Sequence, residues 1–367
     1  MIIKNGLVFN EKGFFENKDI FINNNIIVES IDKVEDKTII DATDKYVIPG
    51  LIDTHIHGSV GYDFCKKDKN NLVEIAKFLK SKGITSFCPT SMTLDENFLV
   101  EIFETVKNNL PKECADIVGI HMEGPFISED KKGAQDKKYI INPSMDFFKK
   151  LNQSCGNMIK IITMAPEVEG GLDFIKEMSS VVNISLGHTT ASYEISKKAY
   201  ELGANRATHL FNAMPPLNHR EPSVVGASLD NENVFVEVIC DGIHIHESVI
   251  RAIFKMYGDD RVVLISDSIM ASGMNDGKYE LGGQDVTVYG NKAMLSDGTI
   301  AGSNTNLFDC MKKAVSFGVK LESAIKAATQ NPAKSIDIYD KYGSIDTGKF
   351  ANLVIMDKDL NICNIIK

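Results

Sequence analysis

The sequence has no apolar stretch of 18 residues, so no transmembrane helix is expected. Its first residues, MIIKNGLVFNEKG, hold no long apolar region and no small-residue cleavage site, so no signal peptide is expected. No CxxC pair occurs. The 7 cysteines stand singly at 65, 88, 114, 155, 240, 310 and 363, an odd count that fits reduced thiols and a cytoplasmic location. Cys88 and Cys240 lie in apolar runs and read as small core side chains. Neither GxGxxG nor GxxxxGK followed by Ser or Thr is present, so neither a dinucleotide fold nor a P-loop is supported. Basic charge is in deficit, with 40 Lys+Arg against 50 Asp+Glu and a net charge of -10. That argues against nucleic acid or an anionic membrane as partner, but not against an anionic small substrate held by a local cation. Hydrophobic residues, at 43%, suffice for a sizeable core and exclude general disorder.

What is present has a clear rhythm. Residues 1–48 carry short strand-like runs: Ile2-Ile3, Leu7-Val8-Phe9, Ile20-Phe21-Ile22, Ile26-Ile27-Val28 and Thr38-Ile39-Ile40. Asn-Gly, Lys-Gly and Asn-Asn-Asn turn signals separate them. So short a segment cannot build a core alone. The runs Asn352–Met356 and Ile362–Ile366 at the other end supply partners, so 1–48 plus 343–367 read as one small β-sandwich module. Between them, over 49–342, eight strand candidates occur at 51–57, 84–88, 117–121, 159–164, 181–186, 206–209, 234–239 and 262–266. Helical patterns such as 71–82 and 191–202 lie between most of them. Gly83 and Gly203 follow those two helices, where a left-handed cap residue is wanted. This alternation predicts an α/β fold, a (β/α)8 TIM-like barrel whose site lies at the C-terminal strand ends.

The chemistry-bearing residues fall at those ends. His55 and His57, two apart on an extended segment, face one centre, and Asp53 is in phase to support their rings. Glu123, on a tight exit through Gly124-Pro125-Phe126, is a candidate bridging ligand. His188 and His209 are weak signals singly. With Glu123 they make a set that suits zinc or iron(II) with a position open for water. Asp267 closes the metal set. It reads either as a helix N-cap or as the carboxylate that takes a proton from water and gives it to a leaving amine. His244 is a candidate donor to a substrate carbonyl, with a structural or metal-binding histidine as the alternative. His121 reads equally as a supporting residue and as an ordinary buried histidine, and His246 as a surface or cap residue. Lys131 to Gln135 read as a solvated loop. Arg220 reads as a solvated charge unless it lies near the site, where it would fork a phosphate or carboxylate.

Pro49-Gly50-Leu51-Ile52-Asp53-x-His55-x-His57, with Gly-x-Ile-x-x-Gly-Lys-x-Ala-Asn-Leu-Val over 343–354, resembles the amidohydrolase superfamily. His121-Met-Glu-Gly-Pro-Phe, Leu186-Gly-His-Thr, Thr208-His-Leu-Phe-Asn-Ala-Met, His219-Arg-Glu-Pro, Asp241-Gly-Ile-His and Gly298-Thr-Ile-Ala-Gly-Ser resemble the N-acetylglucosamine-6-phosphate deacetylases within it. The resemblance runs nearly the full length and in order. It implies hydrolysis of the N-acetyl group of N-acetylglucosamine 6-phosphate to glucosamine 6-phosphate and acetate, in amino-sugar catabolism. It implies Glu123, His188 and His209 as metal ligands and Asp267 as general acid and base. It implies substrate contacts at Ala134, Gln135, Asn212, Ala213, Arg220, Asp241, Gly242, Ile243, His244, Ile300, Ala301 and Gly302. Some members have His where this chain has Gln135, and Ser223 replaces a Gly often found after Arg-Glu-Pro. Some carry Gln and Asn at the first strand and bind one metal. Here both histidines are kept, so one or two divalent ions per chain are expected. The family's counterpart of Arg220 can cross a dimer interface, which implies a homodimer. Two alternatives stand beside this reading. One is another amidohydrolase, acting on the galactosamine epimer or on cyclic amides; the cyclic-amide enzymes often bridge two metals with a modified Lys where this chain has Glu123. The other is a barrel scaffold without chemistry.

Overall fold

A computed structural model describes residues 1–108 and 113–367. Strands covered on both faces read as continuous apolar runs, and the eight expected runs form the barrel wall. They are Leu51–Ile56, Ile84–Ser91, Ile120–Glu123, Ile159–Met164, Asn183–Leu186, Arg206–Ala207, Phe235–Ile239 and Val262–Ile265. Each pairs in parallel with the next. The ring closes between the eighth and the first through a parallel bridge, Ile56 to Ser268, and through the Asp267 N–H to the His55 carbonyl at 2.9 Å.

Several bounds differ from expectation. The third run is split into Asp116–Ile117 and Ile120–Glu123, so Glu123 ends a strand and does not follow one. The sixth strand is only Arg206–Ala207, because the chain turns away before His209. The helix expected over 71–82 runs Lys69–Ser81, since the Asp68 side chain accepts the Asn70 N–H and caps it two residues earlier. The helix expected over 191–202 runs Tyr193–Glu201, capped by Ser192 on the Ile195 N–H. Gly83 and Gly203 take positive φ, 73° and 113°, as their place past the helix ends requires. His246 caps the helix Glu247–Tyr257. No helix of the described residues is long and apolar enough to cross a membrane.

The chain ends meet in one seven-stranded sheet containing Ile2–Phe9, Phe15–Asn23, Ile26–Val28, Ile39–Asp41, Tyr46–Pro49, Leu353–Met356 and Ile362–Ile366. The expected sandwich is realised as a continuous hydrogen-bonded sheet. Strand Ile2–Phe9 pairs Ile39–Asp41 along its first half and Tyr46–Pro49 along its second, so one strand feeds both halves. Inward side chains including Ile3, Val8, Ile22, Val47, Leu353 and Ile355 form a core of their own. A three-stranded antiparallel sheet, Gly277–Leu281, Gln284–Tyr289 and Lys292–Met294, was not anticipated. It follows the eighth barrel strand and hangs over the C-terminal strand ends. Its turn signals, Gly282-Gly283 and Gly290-Asn291, are present in the sequence.

Candidate active site

The C-terminal ends of strands one, three, five, six and eight deliver six buried side chains to one point: His55, His57, Glu123, His188, His209 and Asp267. Glu123 stands in the middle. Its Oε1 lies 3.2 Å from His188 Nε2, 3.2 Å from His209 Nε2 and 3.3 Å from His55 Nε2, and its Oε2 lies 3.5 Å from His57 Nε2. Asp267 Oδ1 lies 3.2 Å from His57 Nε2 and 3.5 Å from His55 Nε2. The resulting ligand sets are His55, His57 and Glu123 on one side, and Glu123, His188 and His209 on the other.

The opposite ring nitrogens explain what the centre wants. His188 Nδ1 meets the Lys131 carbonyl at 2.9 Å, His209 Nδ1 the Asn212 carbonyl at 3.2 Å, and His57 Nδ1 the Thr90 carbonyl at 3.1 Å. His55 Nδ1 meets Glu237 Oε2 at 3.0 Å. Each partner is an acceptor, so each Nδ1 carries the proton and each Nε2 of the neutral ring presents a lone pair. Those lone pairs converge. The Nε2 atoms of His188 and His209 lie 3.1 Å apart, and His55 Nε2 is buried without a hydrogen-bond partner. Clustered lone pairs around a carboxylate are the donor set of a divalent cation, and these residues fit one. Without it, the electrostatics show the same demand. Burial would lower His55, but Glu123 and Asp267 hold it well above the ordinary histidine value. Burial would raise Glu123, but His55 and His188 hold it well below the usual carboxylate range.

A third possible ligand group, His55, His121 and Glu237, does not fit a metal. Both His121 nitrogens are engaged, with the Thr54 carbonyl at 3.1 Å and Thr163 Oγ1 at 2.7 Å. Burial pushes its pKa down to about 3, so it is a neutral structural ring. Asp53 does not support the histidine rings as expected: its Oδ1 faces the backbone N–H groups of His55 at 3.4 Å and Ser266 at 3.3 Å. Glu237 takes the ring role instead. Both it and Arg206 are fully buried charges, and the placement of Glu237 inside the apolar run Phe235–Ile239 is the signal that could have marked it.

A cavity of ≈ 340 Å³ opens above the centre. Its wall includes His57, Glu123, His188, His209, His244 and Asp267. It also includes Ala134, Gln135, Asn212, Ala213, Ile300 and Gly302. Gln135 donates to Glu123 Oε2 at 2.6 Å, so it orients that carboxylate. Met92, Asp130, Lys131, Gly133, Leu281 and Thr299 complete the wall. The loop read as solvated, Lys131 to Gln135, is therefore part of the site. Asp241, Gly242, Ile243 and Ala301 do not line it. Asp241 acts through His244: its Oδ2 accepts the ring Nδ1–H at 2.7 Å and its Oδ1 accepts the N–H of Ile243 and of His244. Burial would lower the His244 ring, but this hydrogen bond raises its pKa above the ordinary value. Arg220 stands outside its own chain's cavity, exposed and hydrogen-bonded to His219.

A closed β/α barrel with a His/Glu/Asp centre at its C-terminal face defines a metal-dependent hydrolase. Residues 46–367 match the amidohydrolase family, and the chain belongs to that family. Within it, the chain is similar to N-acetylglucosamine-6-phosphate deacetylases. It is 35% identical to that of Bacillus subtilis over 99% of this chain and 94% of the other. It is 34% identical to that of Caenorhabditis elegans over 93% of this chain and 86% of the other. The crystal structure of the Thermotoga maritima deacetylase superposes with a TM-score of 0.90 at 32% identity, covering 100% of this chain and 98% of that one. A Mycobacterium smegmatis deacetylase mutant, solved with N-acetyl-D-glucosamine-6-phosphate, superposes with a TM-score of 0.92 at 27% identity, covering 100% and 97%.

Proposed function

We propose that this chain hydrolyses the N-acetyl group of N-acetyl-D-glucosamine 6-phosphate to D-glucosamine 6-phosphate and acetate, as a cytoplasmic, metal-dependent homodimer. One observation carries the reading: four histidine Nε2 lone pairs converge on the Glu123 carboxylate at the floor of a cavity that also holds His244 and Asp267. Glu123, His188 and His209 hold the principal ion, zinc or iron(II), and His55, His57 and Glu123 offer a second position. Bound there, such an ion lowers the pKa of a coordinated water from ~15.7 toward ~7 and polarises the acetyl carbonyl.

The chain's own residues do the rest. Asp267, pressed below its ordinary pKa by His55 despite burial, is ionised and ready to take a proton from the attacking water. It returns that proton to the sugar nitrogen as the C–N bond breaks. His244, charged through Asp241, donates from Nε2 to the oxygen on which negative charge develops. The walls at Ala134, Asn212, Ala213 and Ile300 to Gly302 seat the sugar. Arg220 of the partner subunit's copy of this loop supplies the phosphate cation; among the described residues, Lys131 is the one lysine or arginine in the cavity's own wall.

The test is a turnover assay with N-acetylglucosamine 6-phosphate, read as acetate and free amine, beside elemental analysis of the protein as purified. Parallel reactions with the galactosamine epimer and a cyclic amide separate the alternatives. No turnover of the glucosamine substrate by metal-replete protein overturns the reading.

A further inference from the structure

The Glu237–Arg206 pair is buried in the barrel, directly beneath the centre. Its carboxylate is surrounded by donors alone. Oε1 accepts from Arg206 Nη2 at 2.8 Å. Oε2 accepts from His55 Nδ1 at 3.0 Å and faces the His209 backbone N–H at 3.3 Å. Arg206 is itself braced, by Ser335 and by Thr54 Oγ1 at 3.3 Å. A buried ion pair by itself is weak evidence for a gain in stability. This one is aimed. The same oxygen that balances Arg206's charge fixes the proton of a ring whose other nitrogen points, unpartnered, at Glu123.

We propose that Glu237, locked in orientation by Arg206, is a positioning residue that holds His55 in the Nδ1–H ring form and so controls occupancy of the second metal position. The consequence for metal rests on the two-position reading above; the statement about the ring does not. A carboxylate can accept on both sides, whereas an amide has one accepting and one donating end. In Glu237→Gln the amide oxygen is drawn to the Arg206 cation and its NH2 is left facing His55. The ring relieves that contact by moving its proton to Nε2, which removes the lone pair needed by a metal. His188 and His209 keep theirs, because main-chain carbonyls hold them.

The experiment is zinc titration of metal-free wild type and Glu237→Gln, with chelator competition and elemental analysis, and 15N NMR of the histidine rings. Zinc at the second position should weaken about 10–100-fold in the variant, the usual effect of losing such a support, with the first position unchanged. Above the pKa of the metal-free ring, the His55 signal should switch from the neutral Nδ1–H to the neutral Nε2–H form. Adding Arg206→Met should restore both, because the amide is then free to turn its oxygen to His55. Equal weakening at both positions, or no change at either, overturns the proposal. If Glu237→Gln does not fold, wild-type metal-free protein decides at a pH above the His55 pKa: a neutral His55 ring protonated on Nε2 there also overturns it. Wild type that saturates at one zinc defeats the two-position reading and the proposed control of metal occupancy with it. In that case the ring assignment still stands or falls on the NMR signal.

Discussion

The two flanks of Glu123 are built on different principles. His55 and His57 ride on a barrel strand and its end, and share a face because extended backbone repeats every two residues. His188 and His209 sit past strands five and six at φ 49° and 28°, in the left-handed region that costs a side-chain-bearing residue energy. Their supports differ too. Main-chain carbonyls of Lys131 and Asn212 hold the loop flank, and that of Thr90 holds His57, but a side chain holds His55. A main-chain carbonyl is always an acceptor, so no substitution at that residue changes its chemistry. A carboxylate can be replaced. The strand flank is therefore tunable from the core, while the loop flank depends on the conformation of two loops.

The sharpest way to break this comparison is to remove one ligand from each flank. His188→Ala should lose the principal ion, and with it more activity than any proton carrier contributes, that is more than ~10²–10⁴-fold. His55→Ala should lower metal content per chain while the loop flank keeps its ion, and should cost less activity. Elemental analysis and kcat for both variants check this. Equal metal loss from the two would mean the flanks are one cooperative site. Asp267→Asn stands next in size. It should keep metal and fold but lose ~10²–10⁴-fold in kcat, because an amide cannot carry the proton. Near wild-type turnover would remove Asp267 from the chemistry.

The strand flank was legible in the sequence because its phase is local. Most of the eight strands were legible for the same reason: an apolar run buried on both faces needs no partner to be recognised. What could not be read was which residue meets which across the barrel. Asp53 is in phase with His55 and looks like its support, yet the ring partner is Glu237, six strands away in order. The loop Lys131 to Gln135 looked solvated because nothing local shows that His188 will bind its carbonyl. The sheet over 277–294 carried Gly-Gly and Gly-Asn hairpin signals, but they interrupt the strand–helix alternation by which the barrel was recognised.

Arg220 sharpens a different contrast, between groups the chain keeps in its own cavity and one it holds outside. If a partner's Arg220 completes the site, Arg220→Ala should raise KM for the phosphorylated sugar by about 10–150-fold, the roughly 1.5–3 kcal/mol of a charge-assisted hydrogen bond. Turnover of unphosphorylated N-acetylglucosamine should change little. Equal losses on both sugars would mean that Arg220 supports the fold or an interface and does not read phosphate. Sedimentation of wild type at assay concentration is the companion measurement, since a monomer cannot lend its neighbour an arginine.

The smallest expected effect lies at His244, and its form is more telling than its size. Asp241 takes the Nδ1 proton, so the neutral ring has no hydrogen on Nε2 and only the charged ring can donate there. Wild-type kcat/KM should therefore fall as pH rises through a His244 pKa that lies above the ordinary ~6.5. In Asp241→Asn the oxygen Oδ1 is still claimed by the N–H groups of Ile243 and His244, which forces the amide NH2 toward the ring. The ring then accepts at Nδ1 and carries its proton on Nε2 even when neutral. The basic limb should flatten, because the donor no longer disappears with rising pH. The plateau should drop by roughly 2- to 30-fold, because a neutral donor contributes ~1 kcal/mol where a charged one contributes ~1.5–3 kcal/mol. A pH profile of kcat/KM for both proteins decides the point. A basic limb of unchanged position and steepness in the variant would show that the proton lost there is not on His244.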